Sequence, residues 1–524
     1  MDYATLMMAV MALPVAAAVI MAILPAKATP RPIYETLHVV SLAGVLALAV
    51  VLVVGVVGSG QPQDAVGYWF HLDALGCVFL ALIGAVGFLT GLFAVPYVRH
   101  DVEIGHMGPG QVKQFYVFFD LFVFTMLLVS MSNNIIMMWV GIEATTLSTV
   151  FLVGSYNTKL SLEAAWKYVI VCTAGVAFGL YSTVLVYANA ADIMADPHQA
   201  VFWTELLPYA SQFDAMIVQI AFVFAAIGFG TKAGLFPMHT WLPDAHSEAP
   251  SPVSGLLSGV LLKCAMLVII RFYILAVQCV GQGFPQAVML VLGLLSVAVA
   301  ALAVFSQDDL KRKLAYSSCE NVGVIALCLG FGGPLGVAAA LLHCVMHGLT
   351  KSFVFCLSGN VLMKYGTRDL NKISGMIKVA PVTAVLLAVG MFGLSAFPPF
   401  AMFVSEVSMF VSGVLSDKLW AVIIAAIALT VVIAAFARVV TGSVMGTPPE
   451  GMEKRDVKPL AFVPEIVLAV VIVWFGVAMP QPLLSGIEEA TSVVLQQDSD
   501  ALQQAPLFKD LFAATDGAAD AASE

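Results

Sequence analysis

Apolar stretches of about 20 residues recur along the whole chain, and each is long enough to cross a bilayer as a helix. The pattern predicts about fourteen membrane-spanning helices, numbered here as spans 1 to 14. The first seven lie near residues 4–24, 35–58, 74–97, 112–131, 133–155, 162–189 and 214–238. The other seven lie near residues 252–280, 285–305, 314–332, 335–362, 380–413, 419–441 and 460–479. The predicted fold is therefore an all-α, polytopic membrane protein.

The charges of the predicted loops alternate from one loop to the next. Loops after odd-numbered spans contain nearly all the loop Lys and Arg residues, such as Lys27, Arg31 and Lys311. Loops after even-numbered spans contain essentially Lys418 alone, together with acids such as Asp192. Since loops rich in Lys and Arg remain in the cytoplasm, we expect odd-numbered loops to be cytoplasmic and both termini to be outside. An error of one span would scramble this alternation, so it supports the count.

Two of the predicted spans carry glycines followed by a Phe-Pro pair. The pairs are Phe236-Pro237 in span 7 and Phe397-Pro398 in span 12. Proline within a helix removes a backbone hydrogen bond, so both spans are predicted to be broken. Interrupted helices at corresponding positions of two halves mark the ion path of an inverted-repeat transporter. On this pair alone, ordinary proline kinks are an equally good explanation.

The composition agrees with this fold and limits the function. The chain is 60% hydrophobic and only 11% charged, with a mean hydropathy of +0.97, which leaves no room for a separate soluble domain. Its net charge of −10 gives no indication of nucleic-acid binding. Eight cysteines are scattered singly and none forms a CxxC pair, so we interpret them as small buried hydrophobic residues.

Three ionisable residues lie deep in predicted spans, where an unpaired charge is costly and usually has a function. Glu143 lies near the middle of span 5, and Lys232 lies one turn before the break in span 7. Lys263 lies roughly 16 Å along span 8 at 1.5 Å per residue. We expect Glu143 and Lys232 to approach within salt-bridge or single-water distance. The alternatives are a protonated Glu143 held by a nearby threonine, or a static salt bridge between two helices.

His343, His347 and Lys351 follow one another at intervals of four residues in span 11 and therefore share one helix face. Because imidazole titrates near neutral pH, this stripe is a candidate proton wire. A metal site is the alternative, but no third ligand is evident and HExxH is absent.

Glu406 follows the Pro-Pro break of span 12 by about two turns and is a candidate for the outward end of a proton path. A helix cap or an interface role is the alternative. The weaker candidates for the path are Glu320, Asp120 and His239.

Three segments resemble a known family. The stretch KAGLFPMHTWLPDAHSEAPSPVSGLLSGVLLKCAMLVIIRF is similar to a signature of antiporter-like, proton-translocating subunits. These subunits occur in respiratory complex I, in multisubunit cation/proton antiporters and in membrane-bound hydrogenases. DLKRKLAYSSCENVG and HCVMHGLTKSFVFCLSG resemble further motifs of the family. Within it, EATTLSTVFLVG, SLEAAWKYVIVC and YSSCENVG look most like the F component of hydrogenase-4-type complexes.

The resemblance implies fourteen core helices with two inverted five-helix repeats. Spans 1–3 would occupy residues 1–111, and the first repeat, spans 4–8, residues 112–281. The second repeat, spans 9–13, would occupy residues 282–445, leaving span 14 and a short outward polar tail in residues 446–524. The resemblance also implies roles at matching positions. Glu143 would pair with Lys232, Lys263 would be the central lysine, and Glu406 would be the exit residue. The stripe of span 11 would lie on the hydrophilic axis.

The implied function is proton translocation as a membrane subunit of a hydrogenase-4/formate-hydrogenlyase-type group 4 NiFe hydrogenase in a bacterial inner membrane. No cysteine cluster or haem motif is present, so no cofactor is expected in this chain; NiFe and iron–sulfur centres would belong to peripheral hydrogenase subunits. Other antiporter-like and small membrane subunits would be further partners. The alternatives are a subunit of a complex I-like NADH dehydrogenase, a subunit of a multisubunit Na⁺/H⁺ antiporter, or a purely scaffolding subunit.

Overall fold

The computed structural model describes residues 2–499, and its regular structure is almost entirely helical. In this part of the chain, thirteen helices are long and apolar enough to cross a membrane, and they match every predicted span except span 12. Spans 1 to 7 are Tyr3–Ile23, Arg31–Ser59, Ala74–Glu103, Pro109–Met131, Ile135–Val153, Lys159–Ala191 and Ala215–Ala233. Spans 8 to 11, 13 and 14 are Ser251–Val280, Gly283–Ser306, Leu310–Phe331, Gly333–Tyr365, Leu419–Val444 and Pro459–Val477. The prediction of an all-α, multi-pass membrane protein is confirmed.

Both predicted helix breaks are present. Span 7 ends at Ala233, residues 234–240 are not helical, and a second helix follows over Trp241–Glu248. The indole Nε1 of Trp241 donates to the Thr231 carbonyl at 2.8 Å, which satisfies one of the backbone groups that the break releases. Span 12 consists of two shorter apolar helices, Pro381–Leu394 and Ala401–Leu415, with the proline pair between them.

The spans that carry Lys263, Glu320 and Lys351 are the ones most enclosed by the rest of the bundle. In its most apolar window, span 11 is 100% buried inside the protein and spans 8 and 10 are 94% buried, whereas span 2 is 33% buried. The outer spans shield the central ones from lipid. Small residues allow some helices to approach closely: a Cβ atom at Gly228 of span 7 would lie 2.3 Å from the backbone nitrogen of Gly179 in span 6.

A small set of polar contacts closes the end of the bundle where span 3 begins. Strands Gln63–Ala65 and Phe70–Leu72 pair antiparallel before span 3, and a short helix, Trp203–Leu206, lies between spans 6 and 7. The two terminal nitrogens of the Arg271 guanidinium in span 8 donate to the two carboxylate oxygens of Asp73, at 2.6 and 2.7 Å. Trp203 stacks on the same guanidinium and donates to the Arg271 carbonyl at 3.0 Å. These contacts tie the loops to spans 3 and 8.

Other short helices lie at Pro197–Val201, Leu207–Gln212, Leu370–Lys372 and Met376–Val379. After span 14, a helix over Gln481–Leu495 packs against spans 3 and 11. The sequence analysis assigned this region to a polar tail and missed the helix, whose buried residues include Leu484, Ile487 and Val494. The last 25 residues of the predicted tail, 500–524, lie outside the described residues.

We predict that Asp73→Ala destabilises the protein by about 3–5 kcal/mol at pH 7, because it leaves the buried Arg271 charge without its partner. Burial alone would raise the pKa of Asp73, but the charge and hydrogen bonds of Arg271 lower it to about 2. A lowered carboxyl pKa stabilises the fold above the unfolded value, near 4, and this contribution disappears as the pH falls toward 2. The difference between variant and parent in thermal unfolding of the lipid-embedded protein should therefore shrink below about pH 4.

Asp64→Ala is the matched control, since Asp64 bonds to His71 at 2.8 Å but its side chain is 40% exposed. Its expected effect is about 1 kcal/mol or less. Equal destabilisation by the two substitutions would show that the Asp73–Arg271 pair has no special role in closing this end.

Candidate functional site

The predicted charged residues are buried in the spans to different extents. Lys232, Lys263 and Lys351 have no exposed surface, and neither do His343 and His347. Glu320 and Glu406 are 1% and 8% exposed, whereas Glu143 is only partly buried. The structure therefore encloses every candidate of the second half of the chain, but leaves one carboxylate of the first half near the surface of the bundle.

Hydroxyl groups hold the Lys232 ammonium. Its Nζ atom donates to Thr146 Oγ1 at 2.8 Å and to the Tyr168 hydroxyl at 2.5 Å, and it lies 4.5 Å from the centre of the Tyr168 ring. Tyr168 Oη in turn lies 2.5 Å from Thr149 Oγ1. Hydroxyls both donate and accept, so this cluster can solvate the lysine whether or not it carries its extra proton.

Glu143 and Lys232 were expected to lie within salt-bridge or single-water distance, and the direct form does not occur: among the described residues no ion pair joins the two side chains within 4 Å. Glu143 Oε1 instead accepts a hydrogen bond from Thr173 at 2.9 Å, and Oε2 has no hydrogen-bond partner in the protein. Thr146 lies one turn beyond Glu143 on span 5 and takes the position beside the ammonium. Glu143 still acts on Lys232 through its charge.

A π turn in span 8 prepares the environment of Lys263. Residues Leu257–Leu261 form this turn, in which the helix is locally unwound. Lys263 Nζ donates to the Ser258 carbonyl at 2.5 Å, and the Ser258 hydroxyl contacts Ser318 of span 10 at 2.6 Å. π turns inside α-helices recur at functional sites because they free backbone groups. Here the freed carbonyl solvates a buried lysine.

The stripe on span 11 is continuous in space. The His343 and His347 rings are parallel, with centroids 5.9 Å apart. Lys351 Nζ donates to the Leu314 carbonyl of span 10 at 2.7 Å and also to the Ser317 hydroxyl. Lys263 and Lys351 both act on His347 through their charges, so the stripe of span 11 and Lys263 of span 8 belong to one cluster.

His343 has a partner at each ring nitrogen. Nε2 lies 3.0 Å from Asn321 Oδ1, and Nδ1 lies 2.9 Å from Ser405 Oγ. The Asn321 amide nitrogen donates to the Ser317 carbonyl, which fixes Oδ1 as an acceptor and therefore Nε2 as a donor. Ser405 can donate to a neutral Nδ1, or it can accept from a protonated Nδ1 while donating to the Met402 carbonyl at 3.0 Å. Both protonation states of His343 thus have complete hydrogen bonding.

The two carboxylates of the second half flank this imidazole. Asn321 Nδ2 donates to Glu320 Oε2 at 2.5 Å, which connects Glu320 to the partner of His343. Glu406 follows Ser405 on span 12 and is 8% exposed. Lys351 and Asn321 both bond to Ser317, the first to its hydroxyl and the second to its carbonyl. Lysine, histidine and carboxylate side chains from spans 8, 10, 11 and 12 therefore form one connected set.

Two weaker candidates lie elsewhere. Asp120 pairs with His38 of span 2 at 2.8 Å and, within residues 2–499, contacts neither lysine cluster. His239 lies in the break of span 7. The centroid of its ring is 5.8 Å from the ring centroid of Phe236 and 6.4 Å from that of Tyr316.

Sequence reasoning missed several polar residues of the site, above all His246. This imidazole is fully buried, stacks on Phe355 at 5.1 Å, and neither ring nitrogen has a hydrogen-bond partner among the described residues. The charges of Lys311, Lys351 and Lys263 all act on it. The break in span 7 was the available signal, because a helix that resumes after a break carries the following LPDAH segment back into the bundle. Tyr168, Asn321 and Ser405 carried no signal, since a hydroxyl or amide in an apolar stretch is common.

The arrangement can hold and pass protons, because it combines groups that ionise with groups that both donate and accept. In the described part of the chain, no group of three or more His, Cys, Asp or Glu side chains is placed to hold a metal ion. All eight cysteines are free.

Comparisons with known proteins identify relatives of this chain. The sequence profile of the NADH:quinone oxidoreductase/Mrp antiporter transmembrane family matches residues 132–433. A hydrogenase-4 component F homolog of Methylacidiphilum infernorum (isolate V4) is 41% identical over 344 residues, covering 66% of this chain and 72% of that protein. NADH-quinone oxidoreductase subunit N of Desulforudis audaxviator (strain MP104C) is 29% identical over 472 residues, covering 86% of this chain and 90% of that protein.

Among solved structures, a chain of the membrane-bound sulfane sulfur reductase, an archaeal respiratory membrane complex, matches with a TM-score of 0.83. The match covers 93% of this chain and 97% of that chain at 24% identity, which shows a shared fold.

We predict that neutral His343 carries its proton on Nε2, because Asn321 Oδ1 can only accept. ¹⁵N magnetic resonance of the histidine-labelled protein in bilayers reports the tautomer, and the His343→Gln variant assigns the signal. Asn321→Leu should allow the Nδ1–H form to appear, whereas the His347 signal should change little. A neutral His343 protonated on Nδ1 in the parent protein would contradict the hydrogen-bond assignment.

Proposed function

Since this chain belongs to the NADH:quinone oxidoreductase/Mrp antiporter transmembrane family, we propose that it is a proton-translocating membrane subunit of a redox-driven complex of the hydrogenase-4 type. The observation that carries the proposal is the connected set of buried lysine, histidine and carboxylate side chains across spans 8, 10, 11 and 12. The 41% identity to a component F homolog favours the hydrogenase-4 type over the complex I type, for which the reported relative is 29% identical.

Protons enter from the end of the bundle that carries the basic loops, called here the basic side. A cavity of about 560 Å³ opens between spans 3, 10 and 11 at this side. Its lining includes Asp101, Tyr156 and Lys311, and Tyr156 donates to Asp101 at 2.7 Å. Lys311 is 2% exposed and donates to the Ala249 carbonyl, three residues after His246. The cavity thus leads from the surface to the first buried cation of the path.

Charge repulsion moves the protons onward. Lys311, Lys351 and Lys263 all lie within electrostatic range of His246, and Lys351 and Lys263 lie within the same range of His347. A proton added to one of these groups raises the energy of a proton on its neighbours, because like charges repel strongly where water is scarce. Each arrival at the basic side therefore favours release farther along the row.

Release occurs through spans 11 and 12. When His343 carries a proton on both nitrogens, Nδ1 gives its proton to the Ser405 hydroxyl while that hydroxyl gives up its own, and Glu406, the next residue of span 12, takes up the released proton through a bridging water. Span 12 begins after a basic loop, so the half that carries Glu406 leads toward the opposite surface. We propose that spans 4–8 and 9–13 form two inverted five-helix repeats. The break that follows Lys232 in span 7 and the break that precedes Glu406 in span 12 then hold corresponding positions. The two repeats would occupy residues 112–281 and 282–445.

Glu143 indicates where a partner subunit docks. Its carboxylate is partly exposed in the middle of span 5, and the neighbouring exposed side chains are apolar: Val140 at 39%, Leu147 at 59% and Phe151 at 47%. A carboxylate facing lipid is costly. We therefore place another membrane subunit of the complex against spans 5 and 6, where it covers Glu143 and couples its charge to Lys232.

The electron-transfer centres, NiFe and iron–sulfur, belong in peripheral hydrogenase subunits on the basic side. That side faces the cytoplasm of a bacterial inner membrane in this proposal, with both termini outside. A Na⁺/H⁺ antiporter subunit is the second candidate, since the matching family includes Mrp antiporters. Mass spectrometry of co-purifying proteins separates the two: NiFe and iron–sulfur subunits support the first, and small antiporter subunits alone support the second.

We predict that Lys263→Ala reduces proton translocation at least about tenfold while the complex still assembles, because the central cation of the row is lost. The test is proton movement per electron in proteoliposomes, with redox turnover recorded in parallel and assembly checked first. Lys372→Ala is the control, since this lysine is 72% exposed and its ion-pair partner in the described part of the chain is Asp369 at the surface. Translocation by Lys263→Ala at the parental ratio of protons per electron would refute the central path.

We also predict that Tyr168→Phe lowers the translocation rate by about tenfold, because Lys232 loses the hydroxyl at 2.5 Å but keeps the aromatic ring. Tyr181→Phe on the same span is the control, since Tyr181 is 51% exposed and faces away from the cluster. Equal rates in the two variants would remove Tyr168 from the path.

A further inference from the structure

A second buried polar cluster lies outside the path, between spans 2, 3 and 4. His38 Nδ1 of span 2 lies 2.8 Å from Asp120 Oδ2 of span 4, and both side chains are fully buried. The His38 ring packs between Tyr116 and Phe119, with each centroid 4.9 Å away. Span 3 leaves room for the imidazole at Gly91, where a Cβ atom would lie 3.0 Å from His38 Nε2. The pair is thus held tightly by three helices.

Two polar atoms of this cluster, His38 Nε2 and the Tyr116 hydroxyl, have no hydrogen-bond partner among residues 2–499. Ser41 lies beside the Asp120 carboxylate, where its hydroxyl can donate to it, and all four residues are at least 98% buried. Buried polar groups are nearly always satisfied by the protein or by internal water, so these atoms mark a site for a polar ligand. If the cluster served only to hold the helices together, the single hydrogen bond between His38 and Asp120 would be enough.

A row of polar side chains connects the cluster with the basic side. Glu35, His38 and Ser41 follow one another at three-residue intervals and lie on the buried face of span 2. Arg99 donates to Glu35 at 2.6 Å, and Arg31 contacts the same carboxylate at 3.0 Å.

Tyr116 of span 4 packs on the His38 ring, and Glu35 lies three residues before His38 on the same buried face of span 2. The ion cluster at the surface and the buried pair are therefore neighbours along one column.

We propose that the His38–Asp120 pair is a proton-binding site, separate from the central path, which is loaded from the basic side past Glu35 and Tyr116. With one bound proton shared between imidazole and carboxylate, the pair is electrically neutral. Release of that proton to water leaves one net negative charge, and no other bond changes. His38 Nε2 and Asp120 Oδ1 are the atoms through which the proton arrives and leaves.

The other charged groups near the pair are already engaged. Glu35 is held by Arg31 and Arg99, and Lys113 of span 4 donates to the Ala22 and Leu24 carbonyls at 2.5 and 2.8 Å. Span 1 contributes Tyr3 near Gly55, toward the far end of span 2. None of them supplies a direct counter-charge to Asp120 among the described residues, so the shared proton is what neutralises this carboxylate.

The test is an infrared difference spectrum of the full chain in lipid vesicles between about pH 5 and pH 9, with ¹³C-labelled aspartate and ¹⁵N-labelled histidine. We expect label-sensitive aspartate and histidine bands that vanish in Asp120→Asn and shift in His38→Gln. Proton release measured with an indicator dye should fall by about one proton per chain in Asp120→Asn. Glu465→Gln is the matched control, since Glu465 is another buried carboxyl that accepts from Asn360 at 2.8 Å; these aspartate and histidine bands should persist in it.

Unchanged bands and proton release in both cluster variants would overturn the proposal. Should Asp120→Asn fail to fold, the outcome rests on His38→Gln, in which unchanged aspartate bands would equally overturn it. The measurement involves no redox turnover, so its result is independent of whether Lys263 conducts protons.

Discussion

The structure depends on the cost of placing charge where water is scarce. Lys232, Lys263 and Lys351 are fully enclosed, and no ion pair within 4 Å neutralises any of them in the described residues. Each ammonium is held instead by hydroxyls or by backbone carbonyls: Thr146 and Tyr168, the Ser258 carbonyl, and the Leu314 carbonyl with Ser317. A bound counter-charge would fix each proton in place, whereas neutral dipoles solvate the lysine without committing it to one state.

That requirement explains the irregular helices. A regular helix uses all its carbonyls internally, so a buried cation needs a place where the helix is locally opened. The π turn in span 8 supplies the Ser258 carbonyl, and the break in span 7 begins directly after the lysine at 232. The break also turns the chain back into the bundle and so brings His246 among three lysines. The irregular backbone therefore supplies the groups that the buried charges need.

Much of this followed from the sequence. Hydropathy gave the spans to within a few residues, and the Phe-Pro pairs gave both breaks, because membrane thickness and proline geometry act locally. Depth also predicted that Lys232, Lys263 and Lys351 are buried, but Lys311, which was assigned to a loop, lies at the start of span 10 and is only 2% exposed. Side-chain contacts were harder to predict: a direct Glu143–Lys232 salt bridge does not form, because the Thr146 hydroxyl one turn on takes that place, and contact through a single water stays a prediction. His38 and Asp120 are 82 residues apart and meet only through helix packing, which hydropathy does not describe. His246 was missed because it lies between hydropathy maxima.

The most direct test of the central claim is the proton balance of the intact complex that contains this chain. In proteoliposomes, H₂ formation driven by a reduced viologen consumes protons on one side, and a pH-sensitive dye reports protons appearing on the other. The account predicts that protons cross the membrane in proportion to electrons transferred, beyond those consumed in making H₂, and that an uncoupler collapses the gradient. Consumption of protons by H₂ formation alone, with no protons crossing during sustained turnover, would contradict it.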